Sequence, residues 1–249
     1  MQNQKSRRRT LMDERIALVT GSSKGIGRDI AIRLAEVCSG VAVHYMNNRK
    51  AAEKVADRIT EKGKRSACFQ ADLTKEKEAV SLVRNVEEKF GKIDILVNNF
   101  GPILVKPWEE VTSYEWELVF RANLLSSLHC TKAVLPGMRK REWGRIVNLG
   151  YSRVEQLAAF STITPYAVAK TGLLILTRSV AASEASAGIT VNMVSPGLMK
   201  GGILPESRDI PRGRLGKFKD VSRAVMFLAS DEADFITGTN LIVAGGWKI

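Results

Sequence analysis

Tyr166 and Lys170 stand four residues apart in Y-A-V-A-K, just ahead of a long apolar run. Four residues is about one helical turn, so the spacing sets a phenol and an ammonium on one face of a helix. A free tyrosine, with a pKa of about 10, is a poor acid or base at neutral pH, and a fixed positive charge beside it favours the phenolate and lowers that value. Such a pair could move protons. Tyr and Lys at this spacing also occur on solvated helix faces, so the pair by itself does not decide its role.

A second signal lies near the start. The short apolar run from Ile16 to Val19 is followed by T-G-S-S-K-G-I-G, Thr20 to Gly27, and then by an amphipathic stretch reaching Ala35. A strand, a glycine turn and a helix in that order make a phosphate site: Gly21 permits the tight turn, Gly25 and Gly27 allow close backbone approach, and the helix N-terminus favours an anion. Glycines clustered elsewhere could be only a turn, but here they fall within the first strand-helix unit, where a dinucleotide fold needs them.

The elements that must position these groups alternate along the rest of the chain. Strands are expected at 41–45, 66–70 (leading to Asp72 and Leu73), 93–97, 145–149, 190–194 and 241–243, and helices at 51–62, 75–90, 113–139, around Tyr166 and at 221–229. Alternation at these lengths implies an α/β fold with a parallel sheet covered on both faces. At 249 residues and 27.4 kDa, the chain suits one such domain.

Taken together, T-G-x-x-x-G-I-G, N-N-F-G from Asn98 to Gly101, an isolated Asn123, Y-A-V-A-K and V-S-P-G from Val194 to Gly197 resemble, in order and spacing, the motifs of the short-chain dehydrogenase/reductase family. The resemblance runs from about Arg15 to the C-terminus and is closest to the branch containing 3-oxoacyl-acyl-carrier-protein reductases. It implies a Rossmann-type doubly wound sheet in a single domain, 13–249, and reduction of a substrate carbonyl by a nicotinamide cofactor while Tyr166 donates the proton. Lys170 would tune Tyr166 and bind the nicotinamide ribose, and Asn123 would hold a water in the proton relay. Cofactor contacts are implied at Gly21, Ser23, Lys24, Gly25, Ile26 and Gly27 in the turn, at Asn48, at Asp72 and Leu73 beside the adenine, at Asn99, Phe100 and Gly101, and at Pro196 and Gly197. Similar members are homotetramers. The run around Leu173 to Leu176 is also apolar on more faces than a sheet can cover.

The second strand argues for NADPH. A fold that prefers NAD usually ends this strand with an acidic residue for the ribose 2'-hydroxyl, whereas a 2'-phosphate needs positive charge. Here the strand ends H-Y-M-N-N-R-K, with Tyr45 about where the acid would fall and Asn48, Arg49 and Lys50 after it. Lys24 adds a cation where similar NADP-using members carry one.

Several positions depart from the family pattern. A serine hydroxyl normally follows the strand before the Tyr166 helix, but this chain reads I-V-N-L-G-Y-S from Ile146 to Ser152. Counting from the strand puts Tyr151 at the serine position, whereas counting back from Tyr166 favours Ser152, fourteen residues away, as the catalytic serine. Phe100 replaces a small residue, the 198–210 segment is shorter than the usual substrate-covering lid, and V-A-G-G stands where V-D-G-G is common. The shorter lid suits a bulky or carrier-bound substrate. It also suits a divergent member that binds nucleotide or a partner with little or no turnover, so both readings stay open.

Composition sets further bounds. Net charge is +12 with a pI near 9.8, yet only 5–9 and 139–141 form dense basic clusters, and no nucleic-acid motif accompanies them. The first cluster reads as part of a basic, mobile tail over 1–12, and the general positive field suits a phosphorylated cofactor or an acidic carrier. No stretch is apolar and long enough to span a bilayer or resemble a signal peptide, which makes the cytoplasm the expected location. Cys38, Cys68 and Cys130 have neither disulfide nor metal-ligand spacing, so no metal is expected.

Overall fold

The computed structural model describes residues 14–202 and 209–248. The expected 1–12 tail and the centre of the shortened 198–210 segment lie outside the described residues. Seven strands form one parallel sheet: β1 (Ile16–Val19), β2 (Gly40–Tyr45), β3 (Arg65–Gln70), β4 (Ile95–Asn98), β5 (Gly144–Leu149), β6 (Ile189–Pro196) and β7 (Asn240–Val243), in the order β3-β2-β1-β4-β5-β6-β7. The helices are α1 (Gly25–Leu34), α2 (Arg49–Thr60), α3 (Glu76–Phe90), α4 (Ser113–Phe120), α5 (Ser126–Lys140), α6 (Thr164–Glu184) and α7 (Phe218–Leu228).

Successive strand residues point to opposite faces, so β1 feeds two cores. Ala17 and Val19 pack with Ile30, Leu34, Val55, Ile59 and Val225 under α1, α2 and α7. Ile16 and Leu18 pack with Leu82, Val86, Val134 and Met138 under α3 and α5. Every residue of β1, β2, β4 and β5 is buried, because helices cover both sides of these central strands.

The expected helix over 113–139 is interrupted. Residues Arg121–Leu125 form a π-helical turn between α4 and α5, and Asn123 lies inside it. Its Nδ2 donates to Val119 O at 3.1 Å and to Pro102 O at 3.0 Å, which supplies acceptors for a side chain buried in a widened turn. The periodicity of the sequence cannot distinguish this from continuous helix. No helix among the described residues is long and apolar enough to cross a membrane, and Cys38 and Cys130 are buried.

At the amino end of β5, the Arg145 guanidinium is fully buried. It donates to Asp234 Oδ1 at 2.6 Å, Gly144 O at 3.0 Å and Gly188 O at 3.1 Å, and it lies 4.3 Å from the centre of the Trp143 ring. Arg145→Leu leaves carbonyls without a donor in an apolar setting. The expected loss is about 3 kcal/mol of unfolding free energy, read as a lower urea midpoint; an unchanged midpoint would show that these bonds contribute nothing net.

Candidate active site

All the motifs reach the carboxyl ends of the strands, the edge at which a doubly wound sheet binds ligands. The glycine turn follows β1. Gly21, Gly25 and Gly101 have positive φ values of 62°, 60° and 151°. Gly27 is required for a different reason: a Cβ there would lie 2.4 Å from Asn99 Nδ2 and 2.5 Å from Gly21 O. The Asn99 amide itself donates to Thr20 O (2.9 Å) and Gly21 O (3.0 Å), while the Asn99 and Phe100 N–H groups donate to Thr20 Oγ1 (2.9 and 3.0 Å). One hydroxyl and one amide thus lock the glycine turn to the end of β4. The first turn of α1 has amide donors without intrahelical partners, as every helix start does, and Lys24, its exposed N-cap residue, makes no side-chain cap bond. The close-set cradle, the helix N-terminus and an adjacent cation fit a dinucleotide diphosphate.

The remaining expected cofactor contacts also border this edge. Ser23 and Ile26 lie in and after the turn, partly exposed, and Gly25 has open space where a Cβ would be. Asn48 is engaged as the cap of α2, its Oδ1 accepting the Ala51 N–H at 3.0 Å. Arg49 is paired with Glu53 at 2.8 Å, whereas Lys50 is exposed and has no ion pair among the described residues. Asp72 begins a tight turn in which its Oδ1 accepts from the Thr74 N–H and hydroxyl, and Leu73 is buried. Pro196 O accepts the Ser152 N–H at 2.9 Å, and a Cβ on Gly197 would lie 2.8 Å from Ala244, so the alanine of V-A-G-G closes directly against this loop.

Tyr166 lies in the first turn of α6, directly after Pro165, and Lys170 follows one turn later on the same face. The lysine is 2% exposed. Its Nζ donates to Leu149 O at 2.7 Å and lies 5.6 Å from the centre of the Tyr166 ring. Burial lowers the Lys170 pKa to about 7. The Tyr166 phenol is pushed up from its ordinary value, first by burial and then by neighbouring Tyr151. The sequence-based expectation of a phenol lowered by lysine is therefore reversed: burial disfavours the phenolate, and the Lys170 ammonium is directed to a backbone carbonyl rather than to the phenol. Asn123 sits at the back of this edge, where its Oδ1 is buried with no hydrogen-bond partner and lies 2.3 Å from the place a Cβ on Gly101 would take.

The departure after β5 has a steric cause. A Cβ at Gly150 would meet Ser195 Oγ at 2.5 Å and Met193 Sδ at 2.6 Å, so a serine there would require both side chains to move. Of the next two residues, Tyr151 is the one that meets Tyr166, with ring centres 5.8 Å apart and planes at 55°. Ser152 is 2% exposed, and no hydrogen bond joins its hydroxyl to the Tyr166 phenol. Phe100 packs partly against the core, and its ring makes a T-shaped pair with His44.

Comparisons agree with this geometry. The sequence model described as enoyl-(acyl carrier protein) reductase matches residues 21–248. The chain therefore belongs to the short-chain dehydrogenase/reductase family of NAD(P)-dependent oxidoreductases. Among its relatives, the 3-oxoacyl-acyl-carrier-protein reductase FabG of Haemophilus influenzae is 38% identical over 94% of this chain and 98% of its own length. The protein of the same name from Staphylococcus epidermidis is 37% identical over 92% and 97%. The crystal structure of a blue fluorescent protein from a metagenomic library in complex with NADPH superposes with a TM-score of 0.88 at 29% identity, covering 96% of this chain and 99% of that one.

Three polar residues to which the motifs give no role hold the edge together: His44, Asn98 and Asn148. Asn98 Nδ2 donates to Asn148 Oδ1 (2.8 Å) and Thr131 Oγ1 (3.3 Å), and Asn148 Nδ2 donates to Thr177 Oγ1 on α6 (2.9 Å). His44 accepts the Gly21 N–H on Nδ1 at 2.8 Å and faces Ala71 O from Nε2 at 3.0 Å. Their signal in the sequence is a polar residue at or near the carboxyl end of a largely apolar strand.

Burial lowers the His44 pKa to about 4, opposed only by the Ala71 carbonyl. The unfolded chain, with a histidine pKa near 6.5, binds the proton first as pH falls, so folding stability drops between about pH 6.5 and 4 and is unaffected by this group above that window. The full drop is about 3 kcal/mol at 1.4 kcal/mol per pH unit. In urea unfolding at stepped pH, His44→Asn should flatten the slope across this window relative to the parent; parallel slopes would show that the imidazole is not the linked group.

Proposed function

We propose that this protein is an NADPH-dependent carbonyl reductase that turns a 3-oxoacyl or similar ketone, small or carrier-bound, into an alcohol. The observation that carries the reading is the Tyr166-Lys170 face of α6, placed at the ligand edge of the sheet beside a dinucleotide cradle, with Tyr166 held protonated by burial. A raised phenol pKa suits reduction: the group keeps its proton until an alkoxide develops and then donates it. Bound NADPH supplies the hydride. Lys170, poised near neutrality against Leu149 O, is available to turn to a ribose hydroxyl and to stabilise charge arising on Tyr166. The Asn123 turn, with its unpartnered Oδ1 next to Gly101, is the place for a relay water.

Support for the phosphorylated cofactor comes from the end of β2, where buried Tyr45 takes the place of a carboxylate and exposed Lys24 and Lys50 offer positive charge. The 3-oxoacyl class is supported by the names of the relatives. A homotetramer in the cytoplasm belongs to the same reading: on α6, Val168 and Ile175 are 46% and 63% exposed, and on α4, Tyr114 and Leu118 are 73% and 41% exposed, apolar faces that a second copy would cover. The alternative of nucleotide binding without turnover is favoured by one observation, the missing hydrogen bond between Ser152 and Tyr166. The assays below separate the two.

With a panel of 3-oxoacyl thioesters and simple ketones, absorbance should report oxidation of NADPH in preference to NADH, and Tyr166→Phe should cut kcat by about a hundredfold or more while leaving cofactor affinity nearly intact. Binding of NADPH with no oxidation across the panel would decide for the non-catalytic alternative.

The second contact to the substrate oxygen is open to direct comparison. Tyr151 lies against Tyr166, so a second phenol, rather than the Ser152 hydroxyl, is the group at hand. Tyr151→Phe should lower kcat by about a hundredfold, the low end of the scale for a lost oxyanion donor, and Ser152→Ala by less. The reverse order would restore Ser152 to the role expected from its spacing to Tyr166.

A further inference from the structure

His44 is the last inward-facing polar residue of β2 and is completely buried, yet it lies outside every motif. Its two ring nitrogens are used differently. Nδ1 accepts the Gly21 N–H, so it carries no proton, and the proton therefore sits on Nε2, which donates to Ala71 O. The backbone of the same residue closes a second link to the glycine turn: His44 N–H donates to Ser22 Oγ at 3.1 Å, and His44 O accepts the Ser22 N–H at 2.9 Å. The imidazole and the Phe100 ring meet in a T-shaped arrangement, centroids 6.0 Å apart and planes at 84°.

Three segments that border the dinucleotide cradle thus converge on one ring. Gly21 opens the phosphate turn, Ala71 precedes the Asp72–Leu73 turn, and Phe100 follows Asn99 after β4. Among the described residues, His44 is the one side chain that hydrogen-bonds both the phosphate turn and the Ala71 segment. Only a neutral imidazole in this tautomer satisfies both. An aliphatic side chain would leave Gly21 N–H and Ala71 O unpaired, and an imidazolium would set N–H against N–H.

We propose that His44 is a positioning residue for the cofactor, a neutral imidazole clamp that sets the distance between the diphosphate turn and the adenine segment. The inference rests on the NADPH reading above. It gives the burial of this histidine a function: rigid spacing between two contact segments lowers the ordering cost of binding a ligand that spans them. The surroundings keep the ring neutral. Ser22 from the turn, Ala71 from the end of β3 and Phe100 from the end of β4 face it without charge. The nearest acidic residue along these segments, Asp72, is engaged with Thr74 and, at 3.4 Å, with Lys75.

The test uses the full chain and two probes, NADPH and adenosine 2',5'-bisphosphate, with affinities from calorimetry at neutral pH. His44→Leu should weaken NADPH by about tenfold or more, as expected for two lost hydrogen bonds in the site, and should weaken the bisphosphate in the same proportion. His44→Asn, which keeps an acceptor for Gly21 N–H, should recover part of both losses. A role confined to stability would lower the melting temperature of His44→Leu while both affinities stayed within twofold of the parent, and that result overturns the proposal. If His44→Leu does not fold, nitrogen NMR of the parent decides. An Nε2–H tautomer at pH 6, unchanged when NADPH binds, supports the clamp; an Nδ1–H tautomer or an imidazolium overturns it. Failure of the parent to bind either probe overturns the cofactor reading together with the clamp, whereas equal binding by parent and variant removes the clamp alone.

Discussion

The buried amide chain across β4 and β5 is the interaction on which the candidate site depends. Asn98 and Asn148 are directly opposite in the parallel register, and their side chains join Thr131 on α5 to Thr177 on α6 through the middle of the sheet. Apolar packing alone lets a helix slide or rotate on a sheet at small cost, since dispersion contacts are weakly directional. Hydrogen bonds in a dry interior are directional and costly to break, so they fix the height and rotation of α6. Tyr166 and Lys170 inherit that placement, and the bond from Lys170 to Leu149 O adds a second anchor at the end of the same strand.

A comparable logic runs on the other side of the cleft. Thr20, Asn99 and His44 tie the glycine turn to the ends of β4 and β3 through side chain to backbone bonds. The approach is close enough that Gly27 cannot carry a Cβ. The turn is therefore held in one conformation, and the binding of an anion at the first turn of α1 requires little rearrangement. The active edge is built from polar groups that sheet register brings together, while the two apolar cores beneath supply the rigidity.

Desolvation is the dominant electrostatic influence in the cleft. It raises the Tyr166 phenol, lowers the Lys170 ammonium to about 7 and lowers His44 to about 4, in each case by disfavouring the charged form. A tyrosine and lysine prepared in this way exchange little charge before ligands arrive. The proton stays on the phenol, which is the correct state for an acid that must meet a developing alkoxide.

The sequence by itself determined the alternation of seven strands with helices, the glycine turn and the shared helix face of Tyr166 and Lys170. These follow from local rules: apolar runs of strand length, helical periodicity, and glycine where φ must be positive or the backbone must pass close. Strand ends shifted by one or two residues, as at β4, because hydrogen-bond registration rather than hydrophobicity sets them. Other features required tertiary structure. The π turn around Asn123 has the same composition as ordinary helix. That the Tyr151 ring lies against Tyr166, and that Gly150 is pressed against Ser195 and Met193 more than forty residues away in sequence, are contacts only the folded chain makes. The direction of the Tyr166 shift depends on burial, and the roles of His44, Asn98 and Asn148 exist only because separate strands lie side by side. Spacing along the chain encodes which groups can share an element; which groups meet across elements, and how dry their surroundings are, is decided by packing.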